Sequence, residues 1–163
     1  MPKVLLRREQ REGERVRALS LTQPWATAVA VGIKQWETRS WPTVVRGEIA
    51  IHSAKGFPRY AKEFAAEEQA AGRLPQGQLP LGSIVCLAEL VECRQTETVE
   101  KEIGDIERSY GDYSVGRFAF KLINVHPLAE PVLWRGALGF WSVEWDLHRL
   151  ISEQLRHKIQ EAR

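Results

Sequence analysis

The chain reads as an α+β, mainly β domain: a mixed β-barrel of about six strands, with peripheral helices and a C-terminal helix. Three observations predict it. Strand-like stretches dominate, and residues 35–41 alternate strictly between two faces. Strands and helices do not alternate regularly, which argues against a doubly wound parallel sheet. No segment repeats, so neither a solenoid nor a propeller is indicated.

The elements follow in order. Residues 1–15 carry charge without a sustained apolar face and read as a loosely held basic arm. Residues 16–146 form the domain, and residues 147–163 a C-terminal amphipathic helix packed on it or extending it. The first strand spans residues 16–21. Pro24 suits the first helical position, where its missing N–H costs nothing, with Thr22 or Gln23 at the cap. That helix runs over residues 25–31 and stops at Gly32. Residues 18–33 hold no charged side chain, so the helix should be buried on most sides.

In residues 35–41, Glu37, Arg39 and Trp41 share one strand face, and Trp36, Thr38 and Ser40 the other. Residues 48–53 form the next strand, with Ile49 and Ile51 on one face. Residues 58–72 read as a helix with Phe64 and the alanines inward and Lys62, Glu63, Glu67 and Glu68 outward. Residues 74–81 are a Pro/Gly loop. Residues 82–93 form a long apolar strand, too continuous to have a wet face. An acidic helix over residues 97–109 and a turn at 110–112 lead to a strand at 117–125, ended by His126-Pro127. The last strand spans residues 140–145, where Trp141 and Trp145 share parity as core or barrel-closing residues. Beyond it, Leu147, Leu150, Ile151, Leu155 and Ile159 line one side of the tail helix, for packing or a weak homodimer.

Composition bounds the function. The chain has 163 residues, 44% hydrophobic and 27% charged, as expected of one globular domain. No apolar run reaches the roughly 20 residues of a membrane span, and no signal peptide is evident, so a cytoplasmic protein is expected. Cys86 and Cys93, seven apart in one strand, should point to opposite faces and remain free thiols. The net charge of +2 hides a sorting along the chain: residues 34–62 hold six basic and two acidic side chains, while residues 63–112 hold four and eleven. A basic segment of that kind attracts polyanions while the acidic one faces elsewhere.

Residues 23–56 concentrate the unusual chemistry. Trp25, Trp36 and Trp41 lie close to Lys34, Glu37 and Arg39. Such a set can hold a planar polar ligand, with Arg and Lys on oxygens, Glu on an amino group and Trp stacking. The bland alternative is a solvated strand with a surface ion pair. His52, Ser53 and Lys55 end a strand beside a glycine, where side chains line clefts or are incidental. The histidines lack ligand spacing, and no glycine-rich phosphate loop or nucleophile elbow occurs, so neither metal nor cofactor is expected.

Two blocks then stand out together: Leu19-Ser20-Leu21-Thr22-Gln23-Pro24-Trp25-Ala26 and Gly32-Ile33-Lys34-Gln35-Trp36-Glu37-Thr38-Arg39. With Arg46-Gly47, the stretch Ile49 to Gly56, Leu81 to Val85, Phe118-Ala119-Phe120, Pro131 and Gly136 to Trp141, the chain resembles ASCH domains over roughly residues 17–145. These are the activating-signal-cointegrator homology domains of the PUA-like superfamily. The resemblance implies a PUA-related barrel with a cleft beside the first helix, and RNA or another nucleic acid, single-stranded or with a modified base, as ligand. Gln23, Pro24 and Trp25 match the cleft wall, and Lys34, Glu37 and Arg39 the polar motif. Trp25 or Trp41 would stack, while Arg46, Lys55 and Arg59 would supply a phosphate track.

Some short family members resemble amidohydrolases that remove an acyl group from a modified cytidine, using a lysine, a threonine three residues on and a distant glutamate. Here Glu37 stands at the threonine position, with Lys34 as the base, and Glu89, Glu97, Glu100 and Glu102 all compete for the glutamate role. A metal-independent ribonuclease with His52 as acid/base is the other enzymatic reading.

Overall fold

A computed structural model describes residues 15–143, 153–154 and 160–161. The strands are β1 (Val16–Leu21), β2 (Trp36–Arg39), β3 (Gly47–Ser53), β4 (Ser83–Gln95), β5 (Phe118–Leu133) and β6 (Phe140–Val143), and the helices α1 (Trp25–Ala30), α2 (Arg59–Ala70), α3 (Thr96–Val99) and α4 (Asp105–Ser109). The strands form one six-stranded mixed sheet in the order β2-β5-β4-β3-β1-β6. Only β1 and β3 pair in parallel; every other neighbour is antiparallel. The basic arm, Trp145 and most of the tail helix lie outside the described residues. Gln154, which lies in the tail, accepts a hydrogen bond from the Glu130 N–H of β5 (3.3 Å).

The sheet curls without closing. Six flat strands would hold their edges about 24 Å apart at the usual strand spacing. Instead the rings of Trp41, just past β2, and Phe140 of β6 meet at 5.8 Å, and Phe120 packs against both. No ladder joins the two edge strands, so the barrel expected from the sequence is a curled open sheet, bridged by side chains across the seam.

Alternation along the strands explains the two faces. Leu19, Leu21, Ile49, Ile51, Cys86, Ala88, Leu90, Phe120 and Leu122 fill the inner face, with Ala26 and Val29 of α1 packed into it. The shared face of Ile49 and Ile51 is this one. On the outer face, Ala18, Ala50, Ile84, Leu87 and Val143 are covered by Leu128, Val132, Trp134 and Trp141. A smaller outer cluster packs Trp36 and Ala119 against Val99 and Tyr113.

Four expectations change. β5 continues through His126-Pro127 to Leu133, because register shifts let the ladder pass a residue with no N–H to give. Asn124, with φ of 49°, marks one of these irregularities. The same shifts in β4 alter its parity, so Cys86 and Cys93 pack against the same inner cluster rather than on opposite faces; both are free thiols. The acidic helix is two short helices, α3 and α4, broken before Gly104. Glu68 of α2 is buried rather than outward, for reasons given below.

Candidate functional site

The site is built from the segment that leaves α1 and enters β2. The chain enters α1 through a cis Gln23-Pro24 bond, with Pro24 one place ahead of the first helical residue. Gln23, fully buried, accepts from the Thr27 N–H (3.0 Å) and donates to the Pro80 carbonyl (2.9 Å), tying the helix start to the loop after α2. Ala26, Thr27, Ala28 and Val29 are buried, as a charge-free helix requires. Gly32 then takes φ of 87°, a left-handed turn that releases the chain from the helix. Two residues later Lys34 turns back into the protein.

Lys34 is 1% exposed, and its ammonium has three partners. It donates to the Trp36 carbonyl (2.5 Å) and the Tyr110 carbonyl (2.9 Å), and it pairs with Glu37 Oε2 at 3.3 Å. Glu37 Oε1 accepts from Arg39 Nε at 2.8 Å, and Arg39 Nη2 donates to the Ser20 carbonyl of β1 at 2.8 Å. The three charges therefore form one chain, Lys34–Glu37–Arg39, that runs from beneath α1 to the seam of the sheet. Exposure of the side chains rises along it, from 1% at Lys34 through 10% at Glu37 to 21% at Arg39. Arg39 Nη1 has no protein partner among the described residues, and the guanidinium lies 5.9 Å from the Trp41 ring centre. The surface-ion-pair alternative does not describe this arrangement: the set is mostly buried and its lysine is wholly so.

A second charged group holds the first from behind. Tyr110, fully buried, donates its hydroxyl to Glu68 Oε2 (2.6 Å) while its carbonyl takes Lys34. Arg73 grips Glu68 with two bonds of 2.6 and 2.7 Å. That grip, with the Tyr110 hydroxyl, holds the Glu68 carboxyl below the usual carboxylate range; burial and the adjacent carboxylate push the Tyr110 phenol up. Glu107 of α4 accepts from the backbone N–H groups of Gln35 and Trp36 and so seats the start of β2. Sequence reasoning missed Tyr110, Glu68 and Glu107. The contacts of Tyr110 and Glu107 lie 42 to 76 positions away, and spacing within a segment carries no trace of that.

Other candidates fall elsewhere. His52 is 2% exposed on the outer-face side, edge-on to Trp141 at 5.4 Å. Its Nε2 lies 2.7 Å from the Trp134 carbonyl, which can only accept, so Nε2 carries the proton. Nδ1 then accepts from the Ser20 hydroxyl at 3.0 Å, which in turn accepts from Trp141 Nε1. Burial lowers the His52 pKa against two backbone contacts that raise it. Ser53 is fully buried and clips β3 to β4 through the Ser83 backbone. Trp25 is stacked on Phe64 at 5.7 Å, and Trp41 is wedged between Phe120 and Phe140.

The basic track divides. Arg46 folds onto its own loop carbonyls at the start of β3, whereas Lys55 and Arg59 follow its end, about 20 Å away for a strand of that length. Lys55 and Arg59 are exposed, and Arg59 pairs with Glu63 at 2.8 Å. Of the glutamates weighed from sequence, Glu102 pairs with Arg94, Glu100 with Arg108, Glu89 accepts from Asn124 and Glu97 from Thr96. Each of the four is thus engaged with a residue outside the Lys34–Glu37–Arg39 chain. Among the described residues no group of three or more His, Cys, Asp or Glu side chains is placed to hold a metal ion, and no helix is long and apolar enough to cross a membrane.

The architecture matches known structures. The crystal structure of ASCH from Zymomonas mobilis superposes with a TM-score of 0.53 at 15% identity, covering 83% of this chain and 93% of that one. A tyrosine-to-phenylalanine mutant of the same Zymomonas mobilis protein gives 0.53 at 15% identity, covering 85% and 98%. At those identities the likeness speaks for the fold. In sequence, the chain is 28% identical over 138 residues to activating signal cointegrator 1 of Mus musculus and 27% identical to that of Homo sapiens. In each case the match covers 80% of this chain but only 23% of the relative, so the chain spans about a quarter of those proteins. The model of the ASCH domain matches residues 19–129, a stretch that holds the end of β1, all of α1, the whole Lys34–Glu37–Arg39 chain and most of β5, and the protein belongs to the ASCH domain family.

Proposed function

We propose that the protein is an RNA- or nucleotide-binding module that reads its ligand at the seam of the curled sheet, with Arg39 as the principal contact. One observation carries this reading: Arg39 is fixed by Glu37 and Ser20 through Nε and Nη2, which leaves Nη1 without a partner among the described residues at the most exposed end of the charged chain. A guanidinium held on two edges is preorganised for a phosphate or base oxygen and loses little freedom on binding. Glu37 keeps lone pairs beyond those used by Arg39 and Lys34 and would accept from a base amino group. Lys34 would act beneath them as the partner that holds Glu37 in place, rather than as a ligand contact.

Membership of a family associated with RNA binding supports the ligand class. Lys55 and Arg59 would add a salt-sensitive rim at the α2 end, and Arg46 a separate one. The amidohydrolase reading needs a lysine free to take a proton from the substrate, and the Lys34 ammonium is already held by two carbonyls and the Glu37 carboxylate. The ribonuclease reading needs His52 at the ligand, and both of its ring nitrogens have protein partners. Binding is therefore the better account.

Fluorescence titration of a labelled RNA oligonucleotide across a salt series tests it. Affinity should fall with salt and fall again in Arg39→Ala. Salt-independent binding, or equal affinity in the variant, would refute it.

A further inference from the structure

The rings of Tyr60, Trp25, Phe64 and Tyr110 form a ladder that starts at the surface and ends against the charged chain. Tyr60 and Trp25 lie 6.3 Å apart, Trp25 and Phe64 5.7 Å, and Phe64 and Tyr110 5.1 Å. Tyr110 is fully buried, yet Tyr60 is 65% exposed. A large aromatic held by a ring on one side and open to water on the other is an unusual thing to leave on a surface. Its surroundings are cationic. Lys55, Arg59 and Lys62 are all exposed within eight residues, and Lys62 sits 5.8 Å over the Phe57 ring. The acidic side chain bonded among them is Glu63, already paired with Arg59.

We infer that Tyr60 is a stacking platform for an unpaired base, with Lys55, Arg59 and Lys62 holding the adjoining phosphates of a single strand. The inference rests on the nucleic-acid reading above and adds a second point of contact, at the entry to α2. Charge complementarity selects a polyanion, and the open aromatic face selects one with flat groups to stack. Acidic peptides have the first property without the second. A duplex hides its base faces, so single strands are favoured. All four residues are exposed, so substituting them should leave the core packing in place.

The test uses the full chain and a fluorescently labelled oligo-uridine, titrated at two salt concentrations. Tyr60→Ala should weaken binding between about fivefold and a hundredfold, the range for losing one stacked base, while Tyr60→Trp should retain it. Lys55→Ala/Lys62→Ala should weaken binding and flatten the salt dependence by about 1.4 in the log–log slope. The same strand in a duplex should bind less well, and poly-glutamate should compete poorly. Unchanged affinity in Tyr60→Ala, alongside a loss in Arg39→Ala, would overturn the platform and leave the seam reading standing. Equal competition by poly-glutamate, with no effect of Tyr60→Ala, would make the patch a site for acidic protein segments. No binding by the unaltered chain would overturn both readings.

Discussion

The Lys34 ammonium lies 2.9 Å from the Tyr110 carbonyl, 76 positions away, and this bond joins the β2 charges to the Glu68–Arg73 pair behind them. Lys34→Met would leave two carbonyls without their donor and Glu37 without its buried counter-charge. Breaking such a pair from one side costs about 3–5 kcal/mol. Chemical denaturation should register that loss. Adding Glu37→Gln to Lys34→Met should return part of it, because the stranded charge is then gone. A single variant as stable as the parent would contradict the structural role assigned to Lys34.

Arg39 should separate binding from folding. Its side chain is only partly buried, so Arg39→Lys should change the melting temperature little. The fork that reaches both Glu37 and Ser20 is lost, however, and a lysine cannot replace it geometrically. RNA affinity should drop although the charge is kept. Equal affinity in the lysine variant would mean that charge alone, and not the held geometry, matters at this position.

Stability should fall with acid in two windows. The His52 pKa is lowered by burial, so below the ordinary value of 6.5 the unfolded chain takes up a proton that the folded one resists. Its stabilising share is present above that value and is lost as the pH falls below it toward the folded pKa. Glu68, also depressed, behaves likewise from its ordinary value of 4.5 downward. Denaturant midpoints measured from pH 7.5 to 3 should show both windows. His52→Asn should remove the upper one, and Glu68→Gln should shrink the lower, to which the depressed Glu102 and Asp112 carboxyls also contribute.

Gly136 lies directly over the Ser20–His52 pair. A Cβ there would stand 2.6 Å from His52 Cε1, 2.8 Å from His52 Nδ1 and 2.8 Å from Ser20 Oγ. Those groups are hydrogen-bonded in place and cannot step aside freely. Gly136→Ala should therefore cost about 1–3 kcal/mol, the usual range for overpacking. An unshifted melting curve would show that the segment over His52 can move outward at no cost.

Much of this was legible in the residues themselves, and the limits have physical causes. The alternation of Ile49 and Ile51, the charge-free run before Gly32 and the shared face of Glu37, Arg39 and Trp41 all report local periodicity, which a strand or helix obeys directly. The burial of Glu68 was illegible because a glutamate on a helix reads as solvated unless its partners are known, and Tyr110 is 42 positions distant. Pro127 looked like a strand end because a proline lacks a donor. Only the partner strand reveals that the ladder shifts register to accommodate it. Lys34 read as a residue free to reach a ligand. Its burial follows from carbonyls, which have no sequence signature at all.

The seam between β2 and the opposite, β1–β6 end of the sheet has a consequence for divergence. A closed ladder constrains both strands to fixed lengths and register, so an insertion there breaks several backbone bonds at once. Here the two edges meet through Arg39, Trp41 and Phe140, and residues 40–46 and 134–139 turn nearby without strand pairing of their own. Those segments can lengthen, shorten or change composition while the six strands keep their order. The same sheet can thus be re-equipped at its one unpaired join, and ligand preference can change there faster than the fold does.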